Sequence, residues 1–240
     1  MKKKYFFLTI LCFSCIKIFG QQNFFNVPSS EITEKNKVFF QEQINFYPSN
    51  ISSNSTFCFG LGKDYEIGVN VLGITYDHNQ KGFVANKKNE QPIYPTLGIN
   101  MQKRIMKINR YSLAIGGQIL FPSELSNFEF YTYVNNKLVI KKTTFVAGIY
   151  YGNDNYFGKV DRIYNNVLDF GFQFGFEYQI IKDKLFLQAD FLTGNSPMSN
   201  LIVGGAYKLT KKLIFSSGYQ LPNFKKTSSN GVIIELTFIQ

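Results

Sequence analysis

One histidine and three cysteines among 240 residues leave too few ligands for a zinc framework and too few thiols for a disulfide scaffold. Tryptophan is absent, and only 18% of the chain is charged. A disordered chain needs low hydrophobicity and high charge, whereas 26 Phe and 15 Tyr bring the aromatic share here to 17%, so disorder is excluded. Helical periodicity is never sustained for long. What is present is an aromatic-rich chain with 26 Lys and Arg against 16 Asp and Glu.

Residues 1–20 begin with Lys2, Lys3 and Lys4, run apolar from Tyr5 to Ile16 and reach Gly20 before Gln21, the pattern of a secretory signal peptide. A membrane helix takes about 20 apolar residues, and Lys17 interrupts this shorter run. A lipid-anchored alternative would be cleaved before Cys15, although Leu11-Cys12-Phe13-Ser14 matches the small-residue pattern of such sites poorly. Cleavage after Gly20 would remove four Lys and no acid, changing the balance to 22 minus 16, or +6, and would leave Cys58 as the one thiol. With no basic helix or clustered Arg stripe, nucleic acid is not an expected partner.

Residues 21–36, with a turn at Pro28-Ser29-Ser30, read as a polar periplasmic lead-in to a single domain over 37–240. From there apolar residues alternate with small or polar ones at period two. Twelve strands are predicted, over 38–46, 56–61, 65–76, 94–103, 111–120, 128–134, 138–151, 167–180, 185–191, 200–209, 213–221 and 232–239. Successive strand side chains point to opposite faces, so the first strand sets Val38, Phe40, Ile44 and Phe46 against Gln41, Gln43 and Asn45. In the eighth, Phe170, Phe172, Phe174 and Phe176 alternate with Asp169, Gly171, Gln173, Gly175 and Glu177. Short connections at 62–64, 105–110, 135–137, 182–184 and 210–212 alternate with longer ones at 47–55, 77–93, 121–127, 152–166, 192–199 and 222–231. That alternation puts tight turns at one end and long loops at the other. The fold class is therefore all-β: a transmembrane antiparallel up-and-down β-barrel with short periplasmic turns and longer extracellular loops.

A soluble barrel also alternates, so the chemistry of the polar face decides. It carries mainly Gly, Asn, Gln, Ser, Thr and Ala, as in Ser112, Ala114, Gly116 and Gln118, which suits a crowded lumen. Lys and Arg sit mostly in turns and loops, as hydrocarbon around the strands requires. Tyrosines gather at strand ends, at Tyr47, Tyr65, Tyr76, Tyr94, Tyr111, Tyr150, Tyr151, Tyr178, Tyr207 and Tyr219, and read as two interfacial girdles. Two places depart from the pattern. Glu42 falls on the apolar parity of the first strand, and the third strand changes parity near Leu72-Gly73-Ile74, where Gly73 marks a bulge.

The last strand alternates Val232, Ile234, Leu236 and Phe238 with Ile233, Glu235 and Thr237 and ends on Ile239-Gln240. It resembles the recognition signal of bacterial outer-membrane barrels, though there the aromatic is usually the final residue; the resemblance implies outer-membrane lipid and the barrel-assembly machinery as partners. Residues 21–240 resemble, in architecture and composition, the small outer-membrane β-barrel proteins of Bacteroidota. The resemblance implies an outer-membrane location and brings no catalytic motif.

Chemistry is sparse. A twelve-stranded outer-membrane phospholipase is the enzymatic precedent for this architecture and needs a His to activate a Ser; the one His, His78, is followed by Asn79, Gln80 and Lys81 in a long loop. Asp169 and Glu177 share a face but lie roughly 26 Å apart at strand rise, too far for a dyad. No enzyme, metal or cofactor is assigned. The remaining candidate is the lumen, lined by Glu66, Asn70, Asn100, Gln102, Gln118, Asp169, Gln173, Glu177, Asp190 and Glu235. Its ionisable members are acidic, which predicts a narrow passive channel for small polar or cationic solutes. Equally open is a closed barrel whose amides and acids satisfy one another, serving as a scaffold or as a binding protein through loops 77–93 and 152–166, with Tyr156, Phe157 and Tyr164.

Overall fold

The computed structural model describes residues 23–84, 95–121, 128–157, 170–225 and 228–240. The signal-peptide reading, Tyr94, Tyr164 and the lumen candidate Asp169 lie outside these residues. The elements are β1 (Val38–Phe46), β2 (Asn50–Gly62), β3 (Tyr65–Asp77), β4 (Gly82–Phe83), β5 (Thr96–Ile108), β6 (Tyr111–Phe121) and β7 (Glu129–Ile140). They continue as β8 (Thr143–Gly152), α1 (Asp154–Phe157), β9 (Phe170–Ile181), β10 (Leu185–Leu192), β11 (Asn200–Lys208), β12 (Leu213–Pro222) and β13 (Gly231–Ile239).

Each long strand pairs antiparallel with its sequence neighbour, β1 pairs with β13, and β2 with β3, so twelve strands close into a barrel without a free edge. The two-residue β4 only extends the tip of β3. Closure satisfies every strand's ladder, which is why an apolar outer face can be tolerated in lipid. That face is where the alternation put it: Phe57, Ile67, Ile99, Phe172, Phe215 and Leu236 are exposed, while their neighbours Cys58, Glu66, Gln173, Ser216 and Glu235 are buried. At the turn end Lys103 lies over the Tyr65 ring at 4.5 Å and Lys184 over Tyr207 at 5.5 Å, rings at the rim with cations reaching outward. Tyr151, Tyr178, Tyr207 and Tyr219 face outward as expected, but Tyr150 is buried inside, with its hydroxyl donating to Thr193 O at 2.6 Å.

Three boundaries differ from the sequence reading. Strand β2 begins at Asn50, six residues early, because Ser52 and Asn54 face the polar cavity and an apolar alternation was never needed there. The turn expected at 135–137 lies at Lys141, with φ of 53°, and Asn135, Asn136 and Lys137 sit inside β7. A turn-like Asn-Asn-Lys run is stable mid-strand here because Asn135 and Lys137 face a polar interior. Strand β5 runs on to Ile108, leaving Asn109-Arg110 as the turn.

Both irregularities read from the sequence are resolved. Between Ser53 and Ser55 of β2, the partner shifts from Ile74 to Val71, so β3 carries one extra residue there; Gly73 adopts φ of 73°, the left-handed region a bulge requires. At Glu42, by contrast, the β1–β2 register is continuous. Its side chain shares the lipid-facing parity and accepts hydrogen bonds from the Ser53 and Ser55 hydroxyls. Replacing both serines by Ala strands this carboxylate on an apolar face, and the unfolding free energy in lipid vesicles should fall by about 1–3 kcal/mol. Adding Glu42→Leu should restore most of the loss; a triple variant no more stable than the double would refute the pairing.

The largest departure concerns residues 21–36. Residues 23–33 are not a lead-in but lie within the barrel: Phe24, Phe25 and Val27 are each 2% exposed or less, and Ser29 and Ser30 1% or less, whereas Glu34, Lys35 and Asn36 are exposed. The lumen is the core of this protein. Phe24 and Val27 join Leu120, Tyr131, Val146, Tyr150, Tyr156 and Phe157 in its main apolar cluster, and Phe25 packs with Ile202 and Ile233.

Candidate functional site

From the turn end upward, the N-terminal segment is fastened to the wall at successive levels. The Thr33 amide and hydroxyl donate to Glu66 at 2.7 and 2.8 Å. Glu31 pairs with Lys137 and with Arg104, the latter at 3.7 Å, and its carbonyl accepts from Gln102 at 2.7 Å. Ser30 Oγ lies 2.5 Å from Ser112 Oγ, and Asn135 Nδ2 donates to Pro28 O at 2.5 Å. Residues 23–28 then turn back on themselves, with the Phe24 amide donating to Val27 O at 3.0 Å and a bridge between Asn23 and Pro28. At the top of this turn Asp190 accepts from the amides of Asn26 and Val27 at 2.5 and 2.9 Å. The ring of Phe24 lies against Gly175, where any Cβ would collide with it. These contacts place the segment across much of the turn-side half of the barrel.

Beside and above the turn of residues 23–28, from the level of Glu66 and Gln102 on toward the loop end, a cavity of about 520 Å³ remains. Asn23, Phe25, Asn26 and Pro28 form its floor, and the walls come from β1, β2, β3, β5, β6 and β7. An amide ladder runs across one wall: Asn100 Nδ2 donates to Asn70 Oδ1 at 2.7 Å, Asn70 Nδ2 to Gln118 Oε1 at 2.5 Å, and Gln118 Nε2 to the Tyr156 hydroxyl at 2.8 Å. Tyr131 stacks on Tyr156 with centroids 5.2 Å apart and 17° between planes. Burial pushes the Tyr47 and Tyr156 hydroxyls above the usual tyrosine range, so both stay protonated at neutral pH.

Of the residues singled out in the sequence, the structure brings Glu66, Asn70, Asn100, Gln102 and Gln118 together around the cavity. Gln173, Glu177, Asp190 and Glu235 also point inward, but away from it: Gln173 donates to Asn135 at 2.7 Å, Gln188 donates to Glu177 at 2.8 Å, and Asp190 holds the N-terminal turn. The sequence reading lacks the inward cations Arg104 and Lys137, both partners of Glu31, and Lys208, which lies over the buried Phe186 ring at 5.0 Å, as well as the amides of the plug itself, Asn23 and Asn26. The parity of Lys137 in β7 could have revealed it had the turn been placed at Lys141. Tyr156 and Phe157, expected on a binding loop over 152–166, are buried in the barrel mouth. His78 is exposed, edge-on to Tyr76 at 6.0 Å, and among the described residues no group of three His, Cys, Asp or Glu could hold a metal.

No family model and no curated protein matches this sequence. Solved structures do resemble the fold. The KdgM porin matches with a TM-score of 0.54 at 9% identity over 83% of this chain and 98% of its own, and the NanC porin with 0.54 at 10% over 84% and 98%. A KdgM porin in complex with disordered oligogalacturonate gives 0.52 at 9% over 84% and 98%. At such identity the likeness is one of fold, the closed outer-membrane-type barrel.

Proposed function

We propose that the protein is a gated outer-membrane channel for small polar solutes, exported by its signal peptide and closed at rest by residues 23–34. The observation that carries this reading is the plug itself: it belongs to the chain, enters from the turn end, and is held in the lumen only by noncovalent contacts. A solute entering from the loop end reaches the cavity and passes on when the segment withdraws. The porin likeness of the barrel supports a channel. The extent of plugging favours a second reading, a barrel that binds in its cavity and never conducts.

Liposome swelling separates the two. Vesicles carrying the intact protein should swell slowly in arabinose or glycine, and vesicles carrying the chain without residues 23–34 should swell fast. A folded, shortened barrel that still excludes both solutes would select the binding reading and overturn the channel.

A further inference from the structure

We infer that the loop-side cavity binds a neutral, polyhydroxylated solute, a short saccharide. The inference rests on the reading that the cavity is where the solute sits, and names its class. Among the 35 described lining residues, thirteen are Asn or Gln and nine carry the hydroxyls of Ser, Thr or Tyr, while none is Lys, Arg or His. Each amide side chain offers two donors and a carbonyl acceptor, the complement of a hydroxyl that both donates and accepts. The volume of about 520 Å³ falls within the range of small-molecule sites.

Charged ligands fit poorly. An acidic solute would leave water and meet no cation among the described lining residues, an uncompensated desolvation. A basic one would find, among the described lining residues, only Glu66 and Glu129. Of these, Glu66 already accepts two hydrogen bonds from Thr33, and Glu129 is 2% exposed.

The polar wall is also arranged in advance. In the ladder from Asn100 through Asn70 and Gln118 to Tyr156, each amide is fixed by the next, so binding need not freeze them. Beside it the stacked rings of Tyr131 and Tyr156 border the cavity, an apolar surface suited to the C–H face of a sugar ring. Gln41 supplies an independent sign. It lines the cavity at 4% exposure, its carbonyl accepts from Asn23 at 3.2 Å, and its Nε2 has no partner. A buried donor left unpaired is costly, and a ligand hydroxyl would satisfy it.

Saturation-transfer NMR on the full chain, in nanodiscs or a detergent without a sugar headgroup, tests the assignment with maltotriose, lactose, trigalacturonate and spermidine as probes. Transfer to at least one neutral sugar is expected, with trigalacturonate and spermidine bound at least about tenfold more weakly. Gln41→Met, which keeps the volume and removes the donor, should weaken the neutral sugar about tenfold in a barrel whose folding is checked by circular dichroism. Equal or stronger transfer to either charged probe, or none to both neutral sugars from folded wild-type protein, would overturn the ligand class. Swelling of the shortened barrel is read separately, so a failure of the channel reading shows there and a failure of the saccharide assignment shows here.

Discussion

Removing residues 23–34 is expected to turn a silent barrel into a conducting one in planar bilayers. The segment occupies much of the turn half of the lumen, and its loss leaves the twelve-strand ladder untouched, so the wall should still assemble. Stability should fall, because Phe24, Phe25 and Val27 each bury a side chain worth roughly 1.5–3 kcal/mol. Among the described residues, the opened lumen would present Glu66, Glu129, Glu177, Asp190 and Glu235 against Arg104, Lys137 and Lys208, five acids against three bases. Discrete current steps with a reversal potential on the cation side are therefore expected in a KCl gradient. A folded shortened barrel with no steps, or with anion preference, would contradict this account of the lumen.

Asp190→Ala should produce the same opening in part, with the segment still attached. The carboxylate is 1% exposed and accepts from two consecutive amides, those of Asn26 and Val27. Without it both amides lose their buried acceptor, at roughly 1–3 kcal/mol each. Since about 1.4 kcal/mol is a factor of ten in an equilibrium, the open fraction should rise on the order of thirtyfold or more. Intermittent openings in bilayers, together with faster amide exchange at 24–27, are the expected result, and Asp190→Asn, which retains one acceptor oxygen, should be milder. Currents from Asp190→Ala as silent as those from the intact protein would mean that the turn is held by something other than this carboxylate.

The barrel wall was legible in the sequence because period two is a local property. Phe170, Phe172 and Phe174 face outward and Gly171, Gln173 and Gly175 inward without reference to any other strand. The bulge at Gly73 was legible for the same reason: a glycine at a break in parity. The turn after β7 is misplaced by the sequence pattern because Asn135 and Lys137 have turn chemistry, and the partners that hold them in a strand are distant in sequence, Pro28 and Gln173 for Asn135 and Glu31 for Lys137. The plug was missed on the same ground. Phe24, Phe25 and Val27 lack periodicity, and what buries them is Gly175, Ile202 and Ile233, contacts that no local pattern encodes. Glu66, Glu177, Asp190 and Glu235 face inward, while Asp169 lies outside the described residues; a cation-attracting ring does not follow from parity alone, because parity does not show the partners that occupy these acids, Thr33 for Glu66 and the 26–27 amides for Asp190.

The central claim is that the N-terminal segment lies inside the barrel at rest, and a disulfide tests it directly. Ser30 and Ser112 face each other with hydroxyl oxygens 2.5 Å apart, a placement that suits the short reach of a disulfide. With the native cysteines replaced by Ser, Ser30→Cys combined with Ser112→Cys should cross-link on mild oxidation of the folded protein, and either single variant should not. The bridge should also hold an Asp190→Ala barrel shut until a reductant is added. A folded double variant that forms no bridge, or a bridged one that conducts freely, would contradict the account.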